Sequence, residues 1–245
     1  LGGAGDYYNE DLLYKMFGVN AELLIDHAWG FEPCRMEDIK TYKPENSSMG
    51  SGQVMQCAYD FRKAKLVLRE MTEQLVLELV DKGLVTDQMV LTVSFDRSSL
   101  EISEIKRAYK GEVTIDHYGR KHPKHAHGSV NLGRKTASTK VIIHAVMELY
   151  DRIVDKNLLV RRINIAANHV VEEKEQAQET ATYEQMNLFT DYEALKREQE
   201  EEKKALERER KLQQTMLDIK KKYGKNAILK GMNLEEGATA RERNN

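Results

Sequence analysis

The chain has 245 residues, 40% hydrophobic and 32% charged, with a net charge of −2. That is enough for one domain with appendages or two small domains, and no apolar run approaches the roughly 18–20 residues that span a bilayer, so no membrane partner is expected. Cys34 and Cys57 cannot build a disulfide framework and residues 1–6 carry no export signal, so the expected compartment is the cytoplasm.

In chain order, residues 10–16 read as a helix, Gly18 as its break and 21–28 as a second helix, making 1–30 a small helical piece. Pro33 and Pro44 bracket mixed charge in 31–46, which reads as a linker. The best core periodicity lies in 47–174. Residues 50–57 read as a short strand. Phe61, Ala64, Leu68, Met71, Leu75 and Leu79 then recur at helical spacing, and Lys82-Gly83 ends that helix. Residues 88–95 are β-rich, 96–124 a long basic loop and 126–137 a strand. Ser138 or Thr139 caps a second helix, with Val141, Ile142, Ala145, Val146, Leu149 and Ile153 on one face. Residues 160–170 close the set, Ile163, Ile165 and Ala167 alternating with Arg162, Asn164 and Ala166. The order βαββαβ predicts an α+β, split-βαβ (ferredoxin-like) domain. A four-stranded antiparallel-type sheet packs one face on two helices and leaves the other free for a partner. Residues 175–245 form a charged tail. Its 191–222 stretch reads as a solvated helix supported by pairs such as Glu200–Lys204, with no heptad pattern, and 231–245 as flexible.

The small net charge hides an asymmetry. Residues 105–162 hold thirteen Lys and Arg against five Asp and Glu, a field that gathers polyanions or simply keeps the surface soluble. A catalytic centre is harder to find. Asp60, Asp96 and Asp116 sit in unrelated elements, and Glu10-Asp11 opens a helix, so no paired carboxylates stand ready to hold metal ions. His117, His122, His125 and His127 have no cysteine nearby and match no common zinc spacing; they read as a polar loop that can also reach phosphates. No catalytic residue and no metal site are therefore expected.

Two features remain. Small residues in 47–52 let backbone and hydroxyl groups approach phosphates, unless they are only a flexible domain start. Arg134 and Lys135, with Thr136, end one strand, and Arg161-Arg162 opens another. On neighbouring strands these cations are expected to converge into a phosphate track comprising Ser48, Gly50, Ser51, Arg134, Lys135, Thr136, Arg161 and Arg162. The second feature is Gln185-Met186-Asn187-Leu188-Phe189. Large apolar residues in a polar segment are candidates for insertion into a partner's pocket, or the start of the following helix.

These residues resemble a known family. Glu10-Asp11-Leu12-Leu13-Tyr14-Lys15-Met16-Phe17-Gly18 with Ala28-Trp29-Gly30 resembles the end of the thumb of Y-family translesion DNA polymerases of the UmuC/DinB-like group. Ser47-Ser48-Met49-Gly50-Ser51 and the stretch 130–136 resemble the first and third strands of their little-finger domain. Gln185, Met186, Leu188 and Phe189 resemble the bacterial sliding-clamp motif. Residues 221–229 and 237–243 resemble the tail of the Gram-positive UmuC-like branch. The resemblance implies a monomer that grips primer–template DNA and docks on the clamp. It also implies Mg²⁺ chemistry in the intact polymerase, held by palm carboxylates that match no position here. This chain alone is therefore expected to need no cofactor and not to extend a primer. The alternative is a stand-alone, non-enzymatic accessory module that binds nucleic acid on the same sheet; the start at Leu1 favours the polymerase piece.

Overall fold

Hydrophobic spacing alternates along the chain between the helical and the strand period, and the computed structural model follows that alternation. It describes residues 10–42, 47–116, 119–174 and 192–244, in two units, Leu1–Glu45 and Asn46–Asn245. The first unit holds helices α1 (Glu10–Phe17), α2 (Asn20–Ala28) and α3 (Met36–Thr41). Gly18, at φ 58°, makes the break between α1 and α2. Helix α3 lies inside the segment read as a linker. It buries none of its residues and is held locally, by the Arg35 N–H donating to the Asp38 carboxylate at 2.9 Å.

The second unit runs β1 (Met49–Tyr59), α4 (Phe61–Asp81), β2 (Leu84–Phe95), β5 (Ala126–Thr136), α6 (Thr139–Ile153) and β6 (Val160–Asn168), with the 96–124 stretch between β2 and β5. The sheet order is β1-β6-β2-β5, and every neighbouring pair is antiparallel. β1 and β2 therefore run in the same direction with β6 between them, and β5 and β6 do so with β2 between them. This is the split-βαβ arrangement, made twice. A short strand β7 (Val171–Glu172) pairs antiparallel with the start of β2, at Leu84 and Val85.

The helices form where the sequence places caps and apolar stripes. Asp60 caps α4 by accepting from the Arg62 and Lys63 N–H groups, both at 2.9 Å. Gly83, at φ 66°, lets the chain leave the far end of that helix. Ser138 caps α6, accepting from the Val141 N–H at 3.3 Å. The expected stripe residues Ala64, Leu68, Met71, Leu75 and Leu79 on α4, and Ile142, Val146 and Leu149 on α6, are all buried against Met89, Leu91, Val93, Ile163, Ile165 and Ala167 of the sheet. Tyr150 joins them and stacks beside Phe61 at 4.8 Å between ring centroids. Its hydroxyl donates to the Phe61 carbonyl at 3.1 Å, which makes full burial of the phenol tolerable.

The 96–124 stretch is more ordered than a loop. It contains a 3₁₀ turn (Arg97–Leu100), a short helix α5 (Ser103–Ala108) and a hairpin of β3 (Val113–Ile115) and β4 (Lys121–Pro123). The tail also departs from expectation. Helix α7 (Tyr192–Tyr223) is not simply solvated. Gln213 is buried and donates to the Ala137 carbonyl and the Thr139 hydroxyl at 2.9 and 2.8 Å, and Leu217 enters the main core. Residues 231–244, read as flexible, form a 3₁₀ turn (Gly231–Leu234) and a short helix α8 (Ala240–Arg243) seated on α4. Their anchors are polar, which is why hydrophobic periodicity missed them. No helix among the described residues is long and apolar enough to cross a membrane.

Candidate nucleic-acid interface

Strand alternation sends one set of side chains into the helices and the other set outward. Outward on β1 are Gly50, Gly52, Val54 and Gln56; on β6, Arg162, Asn164, Ala166 and Asn168; on β2, Gln88, Val90, Thr92 and Ser94; on β5, His127, Ser129 and Asn131. Apart from Val54, Val90, His127 and Arg162 these are small or amide-bearing residues, and several brace one another. Gln88 donates to Asn131 at 3.0 Å and accepts from Asn168 at 3.1 Å, so an amide row crosses three strands. Thr92 shares a hydrogen bond with His127 at 2.9 Å. A Cβ on Gly52 would meet the Asn164 side-chain Oδ1 at 2.4 Å, so only glycine lets the Asn164 side chain keep its place. That oxygen accepts from the Arg162 Nε at 3.3 Å. The result is a flat, polar sheet face.

One end of this face is basic. Ser94 pairs with Arg162, but Phe95 pairs with Val160, so Arg161 is an extra residue in the ladder. A bulge of this kind re-aims a side chain, and here both Arg161 and Arg162 line one groove of about 810 Å³, joined by Arg97, Arg120 and Lys121. Asp96, Glu101 and Asp116 are its acids. Arg161 donates to the Gln56 carbonyl at 3.2 Å and lies 3.8 Å from the Asp96 carboxylate. Partial burial opposes ionisation of Asp96, but hydrogen bonds from Ser98 and the charges of Arg161 and Arg97 outweigh it, and its carboxyl titrates below the usual value. Its contribution to stability is therefore complete above the unfolded carboxylate range and is lost as pH falls through the lower folded value. Asp116 holds Arg120 across the hairpin turn through the backbone N–H and Nε, at 2.9 and 2.7 Å.

The expected site residues do not all meet. Arg161 and Arg162 lie at the Ser94 end of β2, whereas Arg134, Lys135 and Thr136 follow the Gln88–Asn131 pair at the other end. Ser94 and Gln88 stand six positions apart on β2, which is about 20 Å of strand. The cations thus flank the sheet instead of converging, because adjacency of strands does not specify position along them. Arg134 is paired with Glu202 of α7. Thr136 is buried, its hydroxyl accepting from the Ser138 N–H at 3.0 Å, and Lys135 is half-buried beside α7. Gly50 opens onto the free face, opposite Ala166. Ser51 pairs with the inward-facing Ile165 and so points to the helical side, while Ser48 is exposed just before β1. Gln185, Met186, Leu188 and Phe189 lie outside the described residues.

Sequence reading placed Arg97 in the basic loop without naming it as a site residue, and missed the amide row, which the alternation of polar with apolar residues in each strand already encoded. Of the four clustered histidines, His117 lies outside the described residues; His122 bonds Thr114 at 3.2 Å and His127 bonds Thr92. Among the described residues no three His, Cys, Asp or Glu side chains stand close enough to hold a metal ion. The described residues thus do not fit the carboxylate-held Mg²⁺ of polymerase chemistry.

A comparison with curated proteins gives no match. A family model described as the impB/mucB/samB family C-terminal domain matches residues 47–181, more than half of the chain. That match begins just before β1 and takes in the whole sheet with both of its helices. The chain belongs to the impB/mucB/samB family and is a C-terminal portion of a UmuC-type Y-family translesion DNA polymerase, a participant in DNA damage tolerance.

Proposed function

We propose that this portion grips primer–template DNA along the free sheet face and docks the polymerase on the sliding clamp through Gln185, Met186, Leu188 and Phe189. The observation that carries the DNA reading is the face itself: small and amide side chains, leading at one end into a groove with five cations. Small side chains admit a phosphate backbone closely, and cations at its edge neutralise it. Contacts of this kind ignore base sequence, which suits an enzyme that must accept any template. Ser48 and Gly50 flank the opposite end of β1 and extend the track along the edge of the sheet.

The accessory-module reading demands aromatic platforms on the sheet for single-stranded RNA. The outward positions named above include no Phe, Tyr or Trp, and Phe95 is buried. A competition titration of primer–template DNA against single-stranded RNA separates the two. The DNA reading expects the duplex to displace the RNA; tighter binding of RNA would overturn it.

A further inference from the structure

The tail motif resembling the Gram-positive branch plays no part in the nucleic-acid face. It lies on the opposite side of the sheet, against α4, and its contacts are specific. Glu70 of α4 is only 3% exposed. One of its carboxylate oxygens accepts from the Thr239 and Ala240 N–H groups at 2.8 and 3.1 Å, and the other from the Asn233 amide at 2.7 Å. Gln53 donates to the Thr239 hydroxyl at 2.9 Å. The Arg243 guanidinium then donates to the side-chain amide oxygens of Gln53 and Gln74 at 2.8 and 2.7 Å, and its Nε is left without a partner. Lys63 pairs with Glu236 and Lys230 with Glu73 at the margins. Gly237, at φ 93°, lies under Lys63; a Cβ there would meet three Lys63 side-chain carbons at 3.0–3.2 Å. Asn226 closes the segment on itself by donating to the Arg241 carbonyl at 3.0 Å.

We infer that the outer face of α4 is a peptide-recognition site centred on Glu70, and that its ligand is this chain's own C-terminal segment, residues 224–244, bound in cis. The pattern it reads is two adjacent N–H groups behind a threonine hydroxyl, with an arginine three residues beyond the second. Among the described residues of this segment only Ala240 is a buried apolar group. With Ile228, Leu229 and Met232 only half-buried, recognition rests chiefly on charge-assisted hydrogen bonds. Such a segment detaches without opening an apolar hole, since Glu70, Gln53 and Gln74 meet water when it leaves. It is a latch, and it fastens the chain emerging from α7 back onto the domain.

Hydrogen exchange on the full chain tests this. The Thr239 and Ala240 amides are expected to be protected, independently of protein concentration. Glu70→Ala removes the acceptor of two amides and should lower that protection by about a hundredfold or more. Gly237→Ala should do the same through the strain of a side chain at φ 93° and crowding at Lys63, while the β2 and β6 amides of both variants keep their protection. Should Glu70→Ala unfold the domain, Gly237→Ala decides. A synthetic peptide of residues 226–245 should then bind the Gly237→Ala chain and not the unaltered one, and should fail when it carries Arg243→Ala. Unprotected amides in the unaltered chain, full protection in Gly237→Ala, or a peptide that binds neither chain would overturn the site. Protection that disappears on dilution would assign the segment to a second copy and overturn binding in cis.

Discussion

Replacing Arg161 and Arg162 together by alanine should flatten the salt dependence of DNA binding by about two units in log affinity against log salt. Each phosphate left without its cation takes about 0.9 off the slope, so between 50 and 200 mM salt the pair accounts for about a twelvefold change. The loss should be similar on unrelated duplexes, since phosphates carry no sequence. The geometry makes this pair special. The bulge turns both side chains into one groove, and Gln56, Asp96 and Asn164 hold them there before DNA arrives. Arg134→Ala with Lys135→Ala should have a smaller effect, a slope change under about one unit. Arg134 is paired with Glu202, so a phosphate reaching it displaces a carboxylate of the protein and releases fewer counterions from the DNA complex. Both double variants are read by the same fluorescence titration at several salt concentrations. An unchanged slope for Arg161→Ala with Arg162→Ala would remove these residues from the interface.

Loss of clamp binding is the other large effect expected. Leu188→Ala with Phe189→Ala should cost about 3–6 kcal/mol of affinity for the host's clamp if both side chains fill apolar pockets. At about 1.4 kcal/mol per tenfold change, that is more than a hundredfold in Kd. Gln185→Ala, which removes a polar contact, should cost about 0.5–1.5 kcal/mol. The DNA salt slope should not move in either variant, which separates the two functions. A clamp affinity unchanged in the Leu188 and Phe189 double variant would make the motif no more than the approach to α7.

What could be read from the sequence followed the hydrophobic period. Leu68, Met71, Leu75 and Leu79 announced α4, and Ile163, Ile165 and Ala167 announced both β6 and its buried side. The hairpin of β3 and β4 was invisible because three-residue strands are too short to show a period. Tyr150 was not among the expected stripe residues; it is buried because the Phe61 carbonyl satisfies its hydroxyl inside. The candidate site was legible as composition and not as geometry. The basic residues were in view, but their register was not, and register carried Arg134 and Arg162 to opposite ends of β2. The docked tail was the least legible part. Its anchors, Glu70, Gln53, Gln74 and Arg243, are residue types that normally mark solvent, and only their mutual placement makes them interior.

If the free sheet face is the DNA side, the helical face is turned away from the duplex. Hydroxyl-radical footprinting of the full chain with and without primer–template DNA tests this directly. Val54, 59% exposed, reports on the free face and Leu212, 61% exposed, on the helical side. DNA should shield Val54 and His127 from oxidation and leave Leu212 unchanged. Shielding of Leu212 with Val54 still fully reactive would contradict it.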